Sequence, residues 1–190
     1  FNLPGQHNVL NLLASIAVAD YLQGEKQLDL KAMQSFPGVG RRLQLHASCT
    51  YGNKAVHIFE DYGHHPEEIA ATVSTLRQAW PDRRLIMAFQ PHRYSRTQEL
   101  FSEFSRVLSQ VDALLLLDVF SAGEELIPGA SSDDLAGDIQ AKYQVEPTRV
   151  SDGDKLQAML RQKLQPGDVV LFQGAGSIGR MAKDFSLRFV

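Results

Sequence analysis

Cysteine is almost missing from this chain. The single Cys49 among 190 residues excludes an internal disulfide framework and fits a reducing compartment. It lies in the alternating stretch LHASCTY and reads as a small core residue, not a nucleophile. No apolar run approaches the roughly 20 residues that a membrane span requires. The first residues lack the basic-then-apolar order of a signal peptide. No Lys/Arg run forms a stripe, and 19 basic against 22 acidic side chains leave a net charge of -3, which argues against bulk nucleic-acid binding. These absences predict a cytoplasmic protein with neither membrane nor nucleic acid as partner. An initiator Met is also lacking, and Phe1 reads as a cut into a longer protein. What remains is an ordinary globular balance, 44% hydrophobic and 22% charged, in a length that buries a core without staples.

Periodicity then separates two regions. Residues 7–23 carry Val9, Leu12, Leu13, Ile16 and Ala17 at helical spacing, with Gly24 as a stop. A second short helix is expected over 29–36, capped by Asp29 or a neighbour. In FPGVGRR, Pro37, Gly38 and Gly40 break the helix and mark a hinge, so residues 1–40 and 41–190 are expected as separate regions. Beyond it, 43–50 and 55–60 alternate around the turn signal Gly52-Asn53, predicting a hairpin. Strands (AVHIF, RLIMAF, ALLLLDVF, TRV, DVVLFQ) then take turns with helices (66–80, 97–110, 132–143, 154–164 and the last residues). That order predicts an α/β, Rossmann-like fold with a mostly parallel sheet. Strands apolar throughout fit a sheet covered on both faces.

In such a sheet, ligands bind beyond the carboxyl ends of the strands. Three loops there are unusual: EDYGHHPEE, FQPHRYSRT and QGAGSIG. Arg93 and Arg96 lie three apart, a spacing that at a helix start aims both guanidiniums at one carboxylate or phosphate. His92 and Tyr94 add directed hydrogen bonds. The alternative is a pair of solvated arginines balanced by Glu99 or Glu103. Asp61 is placed to accept from a ribose hydroxyl, while helix capping before Pro66 is the other reading of Asp61 and His65. His64-His65 with Asp61 and Glu67 lack the spacing of a zinc site, so no metal is expected. GAGSIG matches G-x-G-x-x-G formally, but a dinucleotide fingerprint needs a second strand and an acid further on. That leaves an anion-facing turn, or a turn that only packs strand on helix. His7, Asn8 and Asn11 stand at the start of the first helix. Asn8 and Asn11 carry amides suited to a base edge, or to capping. Arg41 and Arg42 at the hinge are within reach of a phosphate.

Taken in order, GQHNVLN (5–11), FPGVGRR (36–42), EDYGHHPEE (60–68), FQPHRYSRT (89–97), AGEELIPGA (122–130) and QGAGSIG (173–179) resemble the successive motifs of the Mur ligases. Within that family they resemble the members that add L-alanine to UDP-N-acetylmuramate. The resemblance covers essentially the whole chain and implies an enzyme, an ATP-dependent ligase forming an amide bond in peptidoglycan precursor synthesis. It implies that His7, Asn8 and Asn11 contact adenine, Arg42 the ATP phosphates and Asp61 the ribose. It implies that Tyr62, His64, His92, Arg93 and Arg96 line the L-alanine pocket. The chain has no G-x-x-x-x-G-K-[ST] and nothing like the UDP-binding domain. By resemblance, then, residues 1–40 are a helical remnant of the central ATP-binding domain, and 41–190 form the C-terminal domain. ATP, Mg²⁺ and the metal ligands would be engaged with the missing central and N-terminal domains, and this piece alone would be inactive. The alternatives are a non-catalytic nucleotide- or anion-binding module, and the related ligase that recycles cell-wall peptides.

Overall fold

The structure is a computed structural model that describes residues 5–23, 31, 34–36 and 38–189. The expectations placed on Phe1, Gly24, Asp29 and Pro37 lie outside the described residues, as do most of those placed on the 29–36 helix. The chain separates into two units, Phe1–Gly40 and Arg41–Val190. In the first, α1 (Gln6–Gln23) matches the helix expected over 7–23. Its apolar side chains are not gathered on one face, and Leu10, Leu13, Val18, Tyr21 and Leu22 are all exposed.

The second unit runs β1 (Gln44–Tyr51), β2 (Lys54–Asp61), α2 (Pro66–Ala79), β3 (Leu85–Phe89), α3 (Tyr94–Glu99), α4 (Phe101–Leu108), β4 (Ala113–Leu117), α5 (Ser132–Lys142), β5 (Pro147–Val150), α6 (Gly153–Lys163), β6 (Val169–Gln173) and α7 (Ile178–Phe189). The strands form one six-stranded sheet in the order β1-β2-β6-β3-β4-β5. Strands β2, β6, β3, β4 and β5 are parallel, and only the edge strand β1 is antiparallel, to β2. The α/β expectation holds. Tyr51 pairs with Lys54 across Gly52-Asn53, and Gly52 takes φ 63, the left-handed value that the first position of a tight hairpin turn demands.

Each apolar strand serves two cores because successive side chains point to opposite faces. On β3, Leu85, Met87 and Phe89 meet α2, α4 and α5 through Ile69, Val73, Phe104 and Ile139. Ile86 and Ala88 point the other way, toward Leu156 and Leu160 of α6 and Ile178 and Phe185 of α7. That two-sided burial is why LIMAF and ALLLL carry no polar residue.

One helix differs from its expected form. The helix read over 97–110 begins three residues earlier, at Tyr94, and breaks at Leu100 (φ -112, ψ 29) into α3 and α4. At this break Leu100 packs against the apolar core. Register settles where the loops go. Asp61 pairs with Gln173, and Gln173 with Phe89, so β2, β6 and β3 end level. The next residues, Tyr62, Gly174 and Gln90, therefore start three loops side by side, spaced by the roughly 4.8 Å between strands.

Candidate active site

The loop after β2 carries Tyr62, His64 and His65. His65 is the N-cap of α2: its ring accepts from Glu67 N–H (3.4 Å), and Glu68 reaches back to close a capping box. Capping is thus the role His65 fills, one of its two expected readings. Glu68 accepts from the N–H groups of His64 (2.9 Å) and His65 (3.2 Å) and from Arg42 (3.4 Å). Burial pushes its carboxyl up, but those donors outweigh it and hold the group below the usual range. His64 is left facing the rim. Its ring lies 5.4 Å from Tyr62 and 5.6 Å from His92 of the loop after β3.

His92 joins two loops. It forms a parallel bridge with Phe120, beyond β4, and their rings stack at 5.4 Å and 17°. Phe120 N–H donates to Pro91 O (2.8 Å) and Arg93 N–H to Phe120 O (2.9 Å). Arg96 donates to His92 Nδ1 (3.4 Å) and to its carbonyl (3.3 Å). A guanidinium only donates, so Nδ1 of His92 accepts and the ring is neutral in this arrangement. Its pKa is lowered accordingly, by burial first and then by His64, Arg96 and Arg93, with Glu124 opposing.

The two arginines do not form an i, i+3 pair on one helix face. Arg93 stands before α3 as its N-cap, at φ 73, and only Arg96 is helical. Arg96 is half-buried against His92. Arg93 is more open and sits 3.7 Å from Glu124. Neither pairs with Glu99 or Glu103, the partners expected on the alternative reading. Glu124 was given no role by sequence reasoning, although AGEELIPGA was singled out. It accepts from Ser95 N–H (3.0 Å) and Ser95 Oγ (2.6 Å), so the start of α3 is capped by an acid from another loop.

Asp61 is directed inward. Its Oδ1 accepts from Gly63 N–H (2.8 Å) and Gln173 Nε2 (2.8 Å), and its Oδ2 from Leu43 N–H (2.9 Å). Its carboxylate binds the frame of the loop. Arg42 is better placed for an anion: its side chain is 52% exposed, with a long contact to Glu68 and its guanidinium 5.9 Å from the centre of the Tyr62 ring. Arg41 does not reach outward to a phosphate. It turns in to Glu60 and to the carbonyls of Gly174 and Gly176. Arg41, His46 and Glu60 line a separate cleft of about 510 Å³ with Arg180 and Lys183, and neither His92 nor Arg96 borders it. Asn8 and Asn11 stand three apart near the start of α1 in the first unit, beside His7, whose side chain lies outside the described residues.

The glycine loop after β6 is closely packed. A Cβ at Gly174 would lie 2.6 Å from Gln90 O, one at Gly176 would meet Gln90 Oε1 and Phe120, and one at Gly179 would meet Glu60 and Arg41. The Ile178 N–H at the start of α7, expected to face an anion, donates to Gln90 Oε1 (3.1 Å). Gln173, the last residue of β6, and Gln90, the first after β3, are thus site-building residues that sequence reasoning missed. Their signal was an amide directly after each of the apolar runs LIMAF and VVLF, since an amide buried there needs partners.

Residues 41–176 match the family model described as Mur ligase, glutamate ligase domain. Among solved structures, the chain is similar to UDP-N-acetylmuramate-alanine ligase MurC from Thermotoga maritima, with 24% identity, a TM-score of 0.76, and 98% of this chain on 38% of that one. It is similar to murein peptide ligase from Psychrobacter arcticus (19%, TM-score 0.61, 100% on 38%). MurF ligase from Thermotoga maritima in complex with ADP also matches (17%, TM-score 0.63, 98% on 40%). The chain therefore spans well under half the length of each of these structures.

Proposed function

The chain belongs to the Mur ligase family through its glutamate ligase domain, and from that premise we propose that it is the amino-acid-receiving portion of an ATP-dependent ligase joining L-alanine to UDP-N-acetylmuramate. One observation carries the alanine reading. Tyr62, His64 and His92 of two loops and Arg96 of α3 meet at one sheet end, with His64 and His92 only 5.6 Å apart. A substrate with one methyl group offers little apolar surface, so fixed charge and hydrogen bonds must orient it. Arg96, oriented by His92, and the more open Arg93 supply the cations for its carboxylate. The neutral imidazole of His92 leaves the amine an uncharged neighbour as it loses its proton.

ATP would give its γ-phosphoryl group to the muramate carboxylate, leaving ADP, and the amine would attack the resulting acyl phosphate, forming the amide with loss of phosphate and a proton. Arg42 is the residue of this unit that offers itself to a phosphate. Asp61 keeps the loop frame in place and, with an acceptor position left on Oδ2, is proposed for the ribose. His7, Asn8 and Asn11 are proposed for adenine. Among the described residues no three of His, Cys, Asp or Glu gather as a metal site, so Mg²⁺ is assigned to the portion of the relatives that this chain does not span. The exposed apolar side chains of α1 support the same division, as the end of a core completed elsewhere. No described helix is long and apolar enough to cross a membrane.

The test is steady-state kinetics on the full-length protein. Arg93→Ala and Arg96→Ala should raise KM for L-alanine far more than KM for ATP. Equal effects on both overturn the carboxylate role. Turnover with a recycled cell-wall peptide but not with free alanine would move the protein to the recycling ligase. The 190 residues alone should release no phosphate from ATP with both substrates present.

A further inference from the structure

One cluster remains unused by that reading. Glu60, the residue before Asp61, is 3% exposed, yet it is ionisable and lies on β2 beside an apolar core. A buried carboxylate persists when it is paired and hydrogen-bonded. Glu60 has both: Arg41 Nε donates to Oε1 (2.5 Å), and His46 Nε2 lies 2.7 Å from Oε2. The pair aims the rest of the Arg41 guanidinium. Arg41 Nη2 donates to Gly174 O (2.9 Å) and approaches Gly176 O (3.4 Å). Its Cζ lies 4.6 Å from the centre of the Tyr62 ring, and its carbonyl accepts from Tyr62 N–H (2.7 Å). One residue thus touches the loop after β2 and the loop after β6.

Backbone strain points the same way. Arg41 (φ 60) and Leu43 (φ 43) are both left-handed without being glycine. Such residues persist where surroundings over-determine them, and they gather at working sites. Here the surroundings are Glu60, the two carbonyls and the Asp61 bond to Leu43 N–H.

We propose that Arg41, held by buried Glu60, is a positioning residue that clips the Gly174–Ser177 loop to the Tyr62 loop and so sets the width of the amino-acid pocket. This rests on the ligase reading above. Gln90 fastens the far side of the same loop, through Ile178 N–H and Ser177 Oγ. With both fastened, the β6 loop is a fixed floor between the walls bearing His64 and His92. Arg41 needs its planar fork, because a carboxylate and two carbonyls must be met at once; a lysine offers only a point charge. Glu60 touches neither Tyr62, His64, His92 nor Arg96, so its replacement tests positioning separately from substrate contact.

The experiment uses the full-length protein with Glu60→Gln, nearly the same size, and Arg41→Lys as the second variant. Two readouts are taken: KM for L-alanine and for ATP, and hydrogen exchange of the amides at 174–178. Both variants should raise KM for L-alanine by about tenfold or more, since small misplacement at a reacting centre has large effects, while KM for ATP stays within about twofold. Exchange at 174–178 should quicken while β3 and β4 keep their protection. A lower melting temperature with unchanged alanine KM marks a merely structural pair and overturns the proposal, as does unchanged exchange in both variants. If the parent shows no alanine-dependent turnover, the ligase reading fails by itself, and the exchange result alone then decides whether the clip exists.

Discussion

Replacing Gly179 by alanine should destabilise this protein, against the usual rule for a helix. In an ordinary helix interior, Gly→Ala gains about 1 kcal/mol. Gly179 is the second residue of α7, and an added Cβ would stand 2.9 Å from Arg41 Nε and closer still to Glu60 Oε1. Neither is a loose side-chain tip. Glu60 is buried and tied by Arg41 and His46 at 2.5 and 2.7 Å. Overpacking of this kind costs about 1–3 kcal/mol, and a buried pair that loses a partner costs about 3–5 kcal/mol. Partial displacement, less the helix gain, gives a net loss of about 2–3 kcal/mol, or a fall in Tm of roughly 5–10 °C for a unit this size. Gly137, inside α5, is the control: nothing lies within 4 Å of its Cβ position. Gly137→Ala should raise Tm by a few degrees, worth about 0.5–1 kcal/mol. Thermal unfolding followed by circular dichroism measures both. A parent-like or higher Tm for Gly179→Ala would refute the reasoning. So would an equal loss in a Glu60→Ala background, where the obstructing carboxylate is gone and the two changes must couple.

Other outcomes follow from the same geometry. Asp61→Ala strands the N–H groups of Leu43 and Gly63, so denaturant unfolding should show a loss of about 2–4 kcal/mol without any ligand present; a residue that served only to bind ribose would leave stability unchanged. His57 and His92 both have lowered pKa values, His57 through burial and then Arg83. Their unfolded forms take a proton near the ordinary 6.5 before the folded forms do. Their contribution is therefore complete above that pH and lost as pH falls through it toward the folded values. Tm should drop on going from about pH 7.5 to about 5.5, and His92→Gln should flatten the slope; a steeper slope in that variant counts against the assignment.

Much of the fold could be read in advance. Runs such as LIMAF and ALLLL announce strands with two covered faces, and Gly52-Asn53 announces the hairpin. Capping before Pro66 was one reading of His65, while the part of Glu68 in that cap came from the structure. The site was legible as far as the loops bearing His64, His92 and Gly176, because parallel strands must end on one edge. The orientation of side chains within it was not legible. Asp61 meets Gln173 across 112 positions of chain, and no local pattern encodes that meeting. Nor does spacing show that Ser95 will be capped by Glu124, or that Arg93 will leave the helix at φ 73.

Composition and periodicity alone determined the alternation of elements, the covered sheet and the edge where chemistry gathers, since each follows from burying apolar surface at a fixed repeat. Only the tertiary structure decided which polar groups face each other across that edge. The insertion of β6 between β2 and β3 sets Gln90 against the glycine loop and Gln173 against Asp61 and Gly63, because most buried donors and acceptors brought together there find a partner.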